Sequence, residues 1–397
     1  MTQSLRDRNR RSLLRAGLAT AGIASFPGLL RAADPIRIGF LGPVSGPLAF
    51  VGQTNQNCLA LAVDEINAAG GIGGRKLEVI AEDTQMSTKV ALDKARKLYG
   101  NDRVEVITGL VLPSEREAAL SVAAAERKLV LYPNFDEGRC HPNLLTTGLA
   151  ANQSIVPAVG WLVKNVGKTG YALVSDIGTN REQTVPILKT SLERQGGKFL
   201  EALYFPFGTR DFGPALQQVK AADPAFVWHS IGDDPITLVK QYKSFGMKPQ
   251  LITSIMHESI AAATDGDAVG ALSVESYFMS IDNPANRKFL SSYTARYKEF
   301  VKGRFVRGNA VVLPHGERTY VAIKVWAEAV RLAGSTDLDK VRSALSRVEV
   351  AVPRGVVKVH VPTGHLLCES QIGRVQPDNA VEPVARFGVI EPQCAKS

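Results

Sequence analysis

The stretch Val104–Tyr132, VEVITGLVLPSEREAALSVAAAERKLVLY, contains two apolar segments separated by a run with helical spacing. Val104 to Gly109 predicts a strand that ends in glycine, and Lys128 to Tyr132 predicts a second strand. Ser114 to Glu126 between them predicts a helix. A helix that joins two short strands is typical of a parallel sheet covered by helices. The stretch therefore predicts an α/β fold.

The same alternation runs through two successive parts of the chain. The first part starts with a predicted strand at Ile36–Leu41, and the second starts with a predicted helix at Ile155–Val166 and continues to a strand at Gln250–Thr253. This pattern predicts two α/β units with a boundary near 148–154. The last part differs, with predicted helices at 284–301, 317–333 and 337–346 and predicted strands at 356–361 and 366–373.

The net charge of +9 on 397 residues is concentrated at the N-terminus. Residues 1–33 contain six arginines and one aspartate, which leaves a net charge of about +4 on the rest. No block of lysine and arginine with interleaved aromatic residues occurs there. The composition therefore argues against a nucleic-acid partner.

Residues 1–33 have the features of an export signal. The segment NRRSLLR (9–15) is basic, the following AGLATAGIASFPGLL (16–30) is apolar, and small residues precede Asp34. This order predicts a secretory signal peptide that is cleaved near Ala32 or Ala33, and the Arg10–Arg11 pair resembles a twin-arginine signal. The alternative is an ordinary amphipathic helix. Because no later apolar run reaches membrane-spanning length, we expect a periplasmic mature chain without stable membrane insertion.

Four cysteines, Cys58, Cys140, Cys368 and Cys394, are widely spaced and form no CxxC motif. This spacing argues against a zinc site. In an oxidising compartment one or two disulfides can form, but the spacing leaves their pairing open.

The strand ends are the candidate functional region. In open α/β sheets, ligands bind at the carboxyl ends of the strands. This rule selects three loops in each half of the chain: Gly42–Gly46, Gly109–Ser114, Tyr132–Glu137, Ser175–Thr179, Ile231–Asp234 and Ser254–Glu258. A cleft between two facing lobes would bring all six loops together.

Catalytic and metal-binding motifs are missing from the sequence. No nucleophile elbow, HExxH motif or phosphate-binding loop occurs, and the glycines of 70–74 follow a helix rather than a strand. His257–Glu258 could form an acid–base pair, but a structural role is favoured. Asp233–Asp234 could bind a metal, although such a pair more often caps a helix, here one that starts at Pro235. We therefore expect neither an enzyme nor a metal or cofactor site.

Two segments resemble a known family. LAVDEINAAGGIGGRK (61–76) and GFLGPVSG (39–46) resemble the type I periplasmic solute-binding proteins of ABC importers, in the branched-chain amino-acid-binding group. Leu131-Tyr132-Pro133, Glu137-Gly138 and ANQSIVPA (151–158) are similar to its urea- and short-chain-amide-binding branch.

The resemblance implies two doubly wound parallel-sheet lobes around a central cleft, joined by three chain crossings. It places 34–149 plus about 276–340 in the N-terminal lobe, and 150–275 plus about 341–397 in the C-terminal lobe. The implied function is capture of a small polar organic solute, similar to urea, an amide or an amino acid, and delivery to the permease of an ABC transporter. The alternative is a ligand sensor that passes lobe closure to a regulatory partner.

The resemblance also implies a set of ligand-binding positions. They are Pro113 or its neighbour Ser114 at the family's serine place, Tyr132 and Asn134 in the Tyr-Pro loop, Ile177 where the urea and amide binders have tyrosine, and Ile231, Gly232 and Asp233 in the second lobe. Tyr132 would stack on the ligand or donate its hydroxyl to it, while Asp136 and Glu137 would shape the turn. Ile177, and Val111 at another frequent aromatic place, predict a wider or more apolar pocket than that of the amide binders.

Overall fold

The computed structural model describes residues 34–135, 138–297 and 305–395. The predicted signal peptide at 1–33 and the turn residues Asp136 and Glu137 lie outside the described residues. Residues from Pro35 onward belong to one compact unit.

Within the described residues the strands and helices alternate along most of the chain. The strands are β1 (Ile36–Gly42), β2 (Leu77–Asp83), β3 (Val106–Thr108), β4 (Leu129–Tyr132), β5 (Leu144–Thr146), β6 (Thr169–Ser175), β7 (Lys198–Phe205), β8 (Phe226–Ser230), β9 (Gln250–Thr253), β10 (Leu272–Glu275), β11 (Phe305–Val306), β12 (Asn309–Ala310), β13 (Glu349–Val352), β14 (Gly355–His360), β15 (His365–Leu367), β16 (Glu369–Val375) and β17 (Val381–Val389). The helices are α1 (Ala49–Ala68), α2 (Thr88–Arg96), α3 (Pro113–Ala125), α4 (Ala151–Asn165), α5 (Val185–Arg194), α6 (Gly213–Ala222), α7 (Pro235–Ser244), α8 (Glu258–Ala263), α9 (Pro284–Arg296), α10 (Pro314–Ala333) and α11 (Leu338–Leu345).

In both large sheets the first five strands along the chain have the same spatial order. The first runs β13-β14-β15-β5-β4-β3-β1-β2, and the second runs β17-β16-β10-β9-β8-β6-β7. In each sheet the five strands that come first along the chain are parallel to their neighbours and have the order 2-1-3-4-5. This is the order of a doubly wound fold, which confirms the predicted fold class.

Both sheets are buried on two faces. Along β4, Leu129 and Leu131 belong to one hydrophobic cluster, whereas Val130 and Tyr132 belong to another. Along β6, alternate residues likewise enter two separate clusters. Since neighbouring side chains of a strand point to opposite faces, each sheet has an apolar layer on both sides. This explains why central strands such as β4 are short, continuous apolar runs.

Within the described residues the chain passes between the two sheets three times. The crossings lie between β5 and α4 (147–150), between β10 and α9 (276–283), and at Cys368 between β15 and β16. The third crossing differs from the prediction in two ways. First, the predicted strand at 366–373 is two strands that lie in different sheets. Second, the strands within 349–367 pair with the first sheet, whereas the resemblance places about 341–397 in the second lobe. The reason is that β15 pairs in parallel with β5, which no local signal indicates.

Helix ends follow the turn chemistry of the sequence. Asp234 accepts a hydrogen bond from the Thr237 amide (3.1 Å), and Pro235 begins α7, so the predicted capping role is confirmed for Asp234. After α1, Gly70 and Gly71 have φ of 102° and 82°. A Cβ on Gly71 would also lie 2.0 Å from the Arg75 carbonyl oxygen, so only glycine fits this turn.

Candidate ligand-binding cleft

A cavity of about 150 Å³ lies between the carboxyl ends of the two sheets. Five of the six predicted strand-end loops contribute to its wall; their lining residues are Val111, Leu112, Pro113, Tyr132, Asn134, Phe135, Ser175, Ile177, Thr179, Gly232, Ser254, Ile255 and His257. The sixth loop, Gly42–Gly46, does not line the cavity. The lining residues in this part of the chain are Leu48, Phe50 and Val51, which follow the loop. The strand-end rule thus locates the cavity.

The predicted ligand-binding residues occupy different places. Pro113, Tyr132, Asn134, Ile177 and Gly232 line the cavity. Three others do not: Ser114 is exposed on α3, Ile231 is buried in the core of the second lobe, and Asp233 accepts a hydrogen bond from the Gly208 amide (2.7 Å). The binding role of the five lining residues stays a prediction.

Tyr132 and Asn134 direct polar atoms at the protein itself. The Tyr132 hydroxyl and the Asn134 Nδ2 both donate to the Val111 carbonyl, at 2.9 and 2.7 Å. The Asn134 Oδ1 accepts from the Phe135 amide at 2.8 Å, and the Arg116 guanidinium lies 4.9 Å from the centre of the Tyr132 ring. These contacts fix the loop after β4 against the loop after β3.

Polar contacts also fix the loops of the second lobe. The Gly232 amide donates to Ser175 Oγ at 3.1 Å, and Asn180 Nδ2 donates to the Ser175 carbonyl at 2.9 Å. Ser175 thus joins the loops after β6 and β8. The wall of the cavity is held in place by its own hydrogen bonds.

Sequence reasoning missed the part of the wall that lies outside the predicted strand-end loops. These lining residues are Leu48, Phe50, Val51, Asn180, Thr184, Phe207, Ser230, Pro235, Ile260, Leu313 and His315. Phe207 follows the end of β7, so the strand-end rule could have found it. Leu313 and His315 enter from the part of the chain beyond 276, where no predicted strand precedes them.

Two histidines line the cavity in their neutral form. Burial lowers the pKa of His257 to about 3, and the nearby Arg318 adds to this effect. Burial likewise lowers the pKa of His315 far below its usual value, with further contributions from Arg318 and His257. His257 Nδ1 lies 2.6 Å from Ser259 Oγ, whereas His315 Nδ1 is buried and has no hydrogen-bond partner among the described residues. At neutral pH both rings are uncharged.

No lysine, arginine, aspartate or glutamate among the described residues lines the cavity. The N-termini of α1, α3 and α10 also form part of its wall. Their N-cap residues are Leu48, Leu112 and Leu313. A leucine side chain cannot accept hydrogen bonds from the first backbone N–H groups of a helix. On α3, Glu115 partly compensates, because it accepts from the Leu112 amide at 3.4 Å. Each of these helices points the partial positive end of its dipole toward the cavity.

Buried charges, in contrast, lie beside the chain crossings. Arg318 pairs with Glu275 beside the second crossing, and Arg354 pairs with Glu317 through two of its nitrogens. The side chains of all four are at most 3% exposed. Arg354 Nη1 also donates to the Thr147 carbonyl at 2.8 Å, and the Thr147 hydroxyl donates to the Arg318 carbonyl at 3.0 Å. This hinge network (Thr147, Glu275, Glu317, Arg318 and Arg354) joins the first two crossings to α10.

The described residues contain no cluster of three or more side chains that could hold a metal ion. None of their helices is long and apolar enough to span a membrane. The wall of the cavity consists of hydrogen-bonding groups, helix N-termini and apolar surface.

Comparisons with known proteins agree with this architecture. The sequence model of the family described as "Periplasmic binding protein" matches residues 35–380. A "Leucine-, isoleucine-, valine-, threonine-, and alanine-binding protein" of Pseudomonas aeruginosa is 27% identical over 356 residues, which cover 87% of this chain and 90% of the relative.

Solved structures have the same fold. An ABC transporter substrate-binding protein from Sphaerobacter thermophilus superposes with a TM-score of 0.79 at 27% identity, covering 90% of this chain and 99% of its own. A solute-binding protein of an ABC transporter from Rhodopseudomonas palustris BisB5, in complex with 3,4-dihydroxybenzoic acid, has a TM-score of 0.80 at 20% identity, with coverages of 90% and 98%.

Proposed function

Because this chain belongs to the periplasmic binding protein family, we propose that it captures a small organic solute between its lobes and delivers it to an ABC transporter. The family and the matching proteins are solute-binding proteins rather than enzymes. The P. aeruginosa relative is named for leucine, isoleucine, valine, threonine and alanine, and the R. palustris structure holds 3,4-dihydroxybenzoic acid.

We propose that the solute is a small monocarboxylate with an apolar body. The observation that carries this proposal is a cavity without acidic or basic side chains, onto which the N-termini of α1, α3 and α10 open. The partial positive charge at such helix ends favours an anion. The aliphatic and aromatic wall favours an apolar body, and a cavity of about this size accommodates a benzene-sized group.

The same lining disfavours an α-amino acid. The ammonium group would enter a low-dielectric site that offers no carboxylate among the lining residues. A buried cation without a partner costs several kcal/mol, and the helix dipoles would repel it. Urea or a short-chain amide remains the alternative, since neutral amides match hydrogen-bonding groups without needing a charge.

Matched pairs of compounds separate these possibilities. We would measure the melting temperature and the heat of binding of the mature chain with benzoate and its neutral isostere benzamide. A second pair is L-isoleucine and 3-methylpentanoate, which has the same carbon skeleton without the ammonium group. We expect benzoate and 3-methylpentanoate to raise the melting temperature, because a ligand at about 100 times its Kd stabilises the folded state by about 2.7 kcal/mol.

The remaining outcomes each reject this ligand class. Stronger stabilisation by benzamide, urea or butyramide would support the amide alternative. Stronger stabilisation by L-isoleucine would support an amino-acid binder. If no carboxylate of the panel shifts the melting temperature, the carboxylate proposal fails while solute binding as such can still be tested with other compounds.

We also propose that residues 1–33 export the chain by the twin-arginine route and that it works in the periplasm. The disulfide between Cys140 and Cys394 supports an oxidising compartment. Replacing Arg10 and Arg11 by lysine should leave the unprocessed chain in the cytoplasm, as measured by fractionation. Export of that variant at the normal level would reject the twin-arginine route.

A further inference from the structure

The last described residues cross from one lobe to the other. Strand β17 is the edge strand of the second sheet and ends at Val389. Residues 390–395, which we call the C-terminal strap, then reach the first lobe. There Cys394 forms a disulfide with Cys140, which lies between β4 and β5 of the first sheet. The sulfur atoms thus connect segments that belong to different sheets.

The start of the strap is held by the N-terminal turn of α4. Gln153 Nε2 donates to the Ile390 carbonyl at 2.9 Å and also to the Leu366 carbonyl at 3.2 Å. Asn152 contacts the strap twice: its Nδ2 donates to the Glu391 carbonyl at 2.9 Å, and its Oδ1 accepts from the Gln393 amide at 3.0 Å. The Asn-Gln pair, which is part of the family resemblance, therefore binds the strap instead of lining the cavity.

The end of the strap is held by the loop after β4. The Ala395 amide donates to the Gly138 carbonyl at 2.7 Å, next to the disulfide. Gly138 has a φ of 96°, and a Cβ there would lie 2.8 Å from both the Ala395 nitrogen and the Gln393 carbonyl oxygen. This glycine is required where the strap passes over the loop. His360 of β14 adds a contact from the first lobe, with Nε2 2.9 Å from Glu391 Oε1.

The same loop also lines the cavity. Asn134 and Phe135, a few residues before Gly138, are part of its wall, and Phe135 packs against the hydrophobic cluster of the second lobe. A movement that separates the lobes has to pull this loop away from that cluster. The strap ties the loop to α4 of the second lobe through a covalent bond to the loop and three hydrogen bonds with Asn152 and Gln153.

We propose that the C-terminal strap is a fourth, covalent connection between the lobes that limits how far the cleft opens. The three chain crossings allow the lobes to hinge, as in other two-lobed proteins. A disulfide across the lobes reduces the number of open conformations, by the same argument that makes cross-links reduce the entropy of a flexible chain.

The test compares the mature chain without added solute in two forms, with and without the disulfide. The variant Cys140→Ser with Cys394→Ser removes the bond without leaving a single unpaired thiol at the strap. We expect a larger radius of gyration by small-angle X-ray scattering. We also expect amide hydrogen exchange in 138–143 to be roughly tenfold faster or more, because these residues open locally more often.

Chemical reduction provides the matched control. Tris(2-carboxyethyl)phosphine should convert the wild-type values to those of the double variant and leave the double variant unchanged, while circular dichroism reports that both remain folded. Cys58 and Cys368 are buried and outside the disulfide in both proteins, so their contribution is constant. Gly138→Ala is a second variant, which should displace the strap and accelerate exchange with all cysteines present.

The proposal is overturned if the radius of gyration and the exchange in 138–143 are the same with and without the bond. Faster exchange confined to 390–395 would also overturn it, since the strap would then be only an anchored tail. If the double variant does not fold, the reduced wild type and Gly138→Ala decide between these outcomes.

Discussion

The cleft and the chain crossings differ in whether charged side chains lie in or beside them. The cavity wall has no acidic or basic side chain among the described residues, whereas the hinge network contains two ion pairs that are almost fully buried. The two regions adjoin on α10: His315 lines the cavity, while Glu317 and Arg318 on the same helix turn take part in the ion pairs.

The difference has a physical reason. A buried ion pair holds its neighbours in one geometry, because losing either partner leaves a charge in a low-dielectric medium. Such a constraint suits a crossing that has to keep its position. A solute must also leave the cleft, and helix dipoles together with neutral hydrogen-bonding groups bind an anion without an opposite full charge. Buried ion pairs thus lie beside the connections between the lobes, whereas the cavity that we propose to bind an anion has helix N-termini and neutral side chains.

Removing a charge from the hinge network should have the largest effect. Arg354→Met deletes the partner of Glu317 and the hydrogen bond to the Thr147 carbonyl, and leaves a buried carboxylate. We expect the free energy of unfolding to fall by about 3–5 kcal/mol, as found when one partner of a buried pair is removed. Chemical denaturation of the mature chain measures it.

The matched control for Arg354→Met is Arg331→Met, because Arg331 pairs with Glu328 at the surface. We expect this control to cost less than about 1 kcal/mol. Adding Glu317→Leu to Arg354→Met should restore much of the loss, since no unpaired charge remains. A loss below about 1 kcal/mol in the single variant would show that the ion pair does not fix the crossing.

Glu258 lies between the two regions, directly after the cavity residue His257. Its side chain is buried and accepts from the Met279 amide at 2.8 Å, and burial raises its pKa from 4.5 to about 7. The folded protein therefore binds more protons than the unfolded chain between these two values, so this carboxyl lowers stability as the pH rises through that window. Above pH 7 the loss is complete.

Glu258→Gln removes this titration and keeps the hydrogen bond from Met279. The stability of the variant relative to wild type should rise between pH 4.5 and pH 8, by on the order of 2–3 kcal/mol. Denaturation of both proteins at the two pH values measures the difference, in which the titration of His257 cancels. An equal difference at both pH values would contradict a raised pKa.

A charge placed in the cavity tests the other region. Ile177 lines the cavity and is half-buried, so Ile177→Asp should introduce a carboxylate near the anion that we propose as the solute. We expect the affinity for benzoate to fall by about tenfold to a hundredfold through like-charge repulsion. Ile177→Asn has nearly the same shape without the charge. If calorimetry gives both variants the same loss, shape and not charge governs the site.

Local sequence patterns predict most of the strands and helices. The features that they do not predict depend on contacts between residues far apart in the chain. The alternation of strands and helices predicts β1 to β4 and β6 to β9, because each is a short apolar run next to a helix with clear periodicity. The third crossing could not be predicted, since Leu366, Leu367 and Cys368 form an apolar run without glycine or proline where the chain changes sheets. Strand partners in the sheet depend on tertiary contacts that spacing does not encode.

The candidate site divides in a similar way. Strand ends predict the loops that form most of the cavity wall, because parallel strands bring their carboxyl ends to one edge. Leu313 and His315 reach the cavity from a helix that follows the second crossing, so they have no strand-end signal. The pairing of Cys140 with Cys394, at a sequence separation of 254, likewise depends on the path of the C-terminal strap.

The smallest expected effect concerns a residue that lies in the cavity wall but points its polar atom at the protein. Tyr132→Phe removes the hydrogen bond from the hydroxyl to the Val111 carbonyl and keeps the ring in its buried place. Asn134 still donates to that carbonyl, so the acceptor is not left unpaired. We expect a loss of about 0.5–1.5 kcal/mol in the free energy of unfolding and an unchanged affinity for benzoate. A large loss of affinity with intact stability would instead mean that the hydroxyl turns to the solute, and that the cleft selects its ligand with this side chain as well as with dipoles.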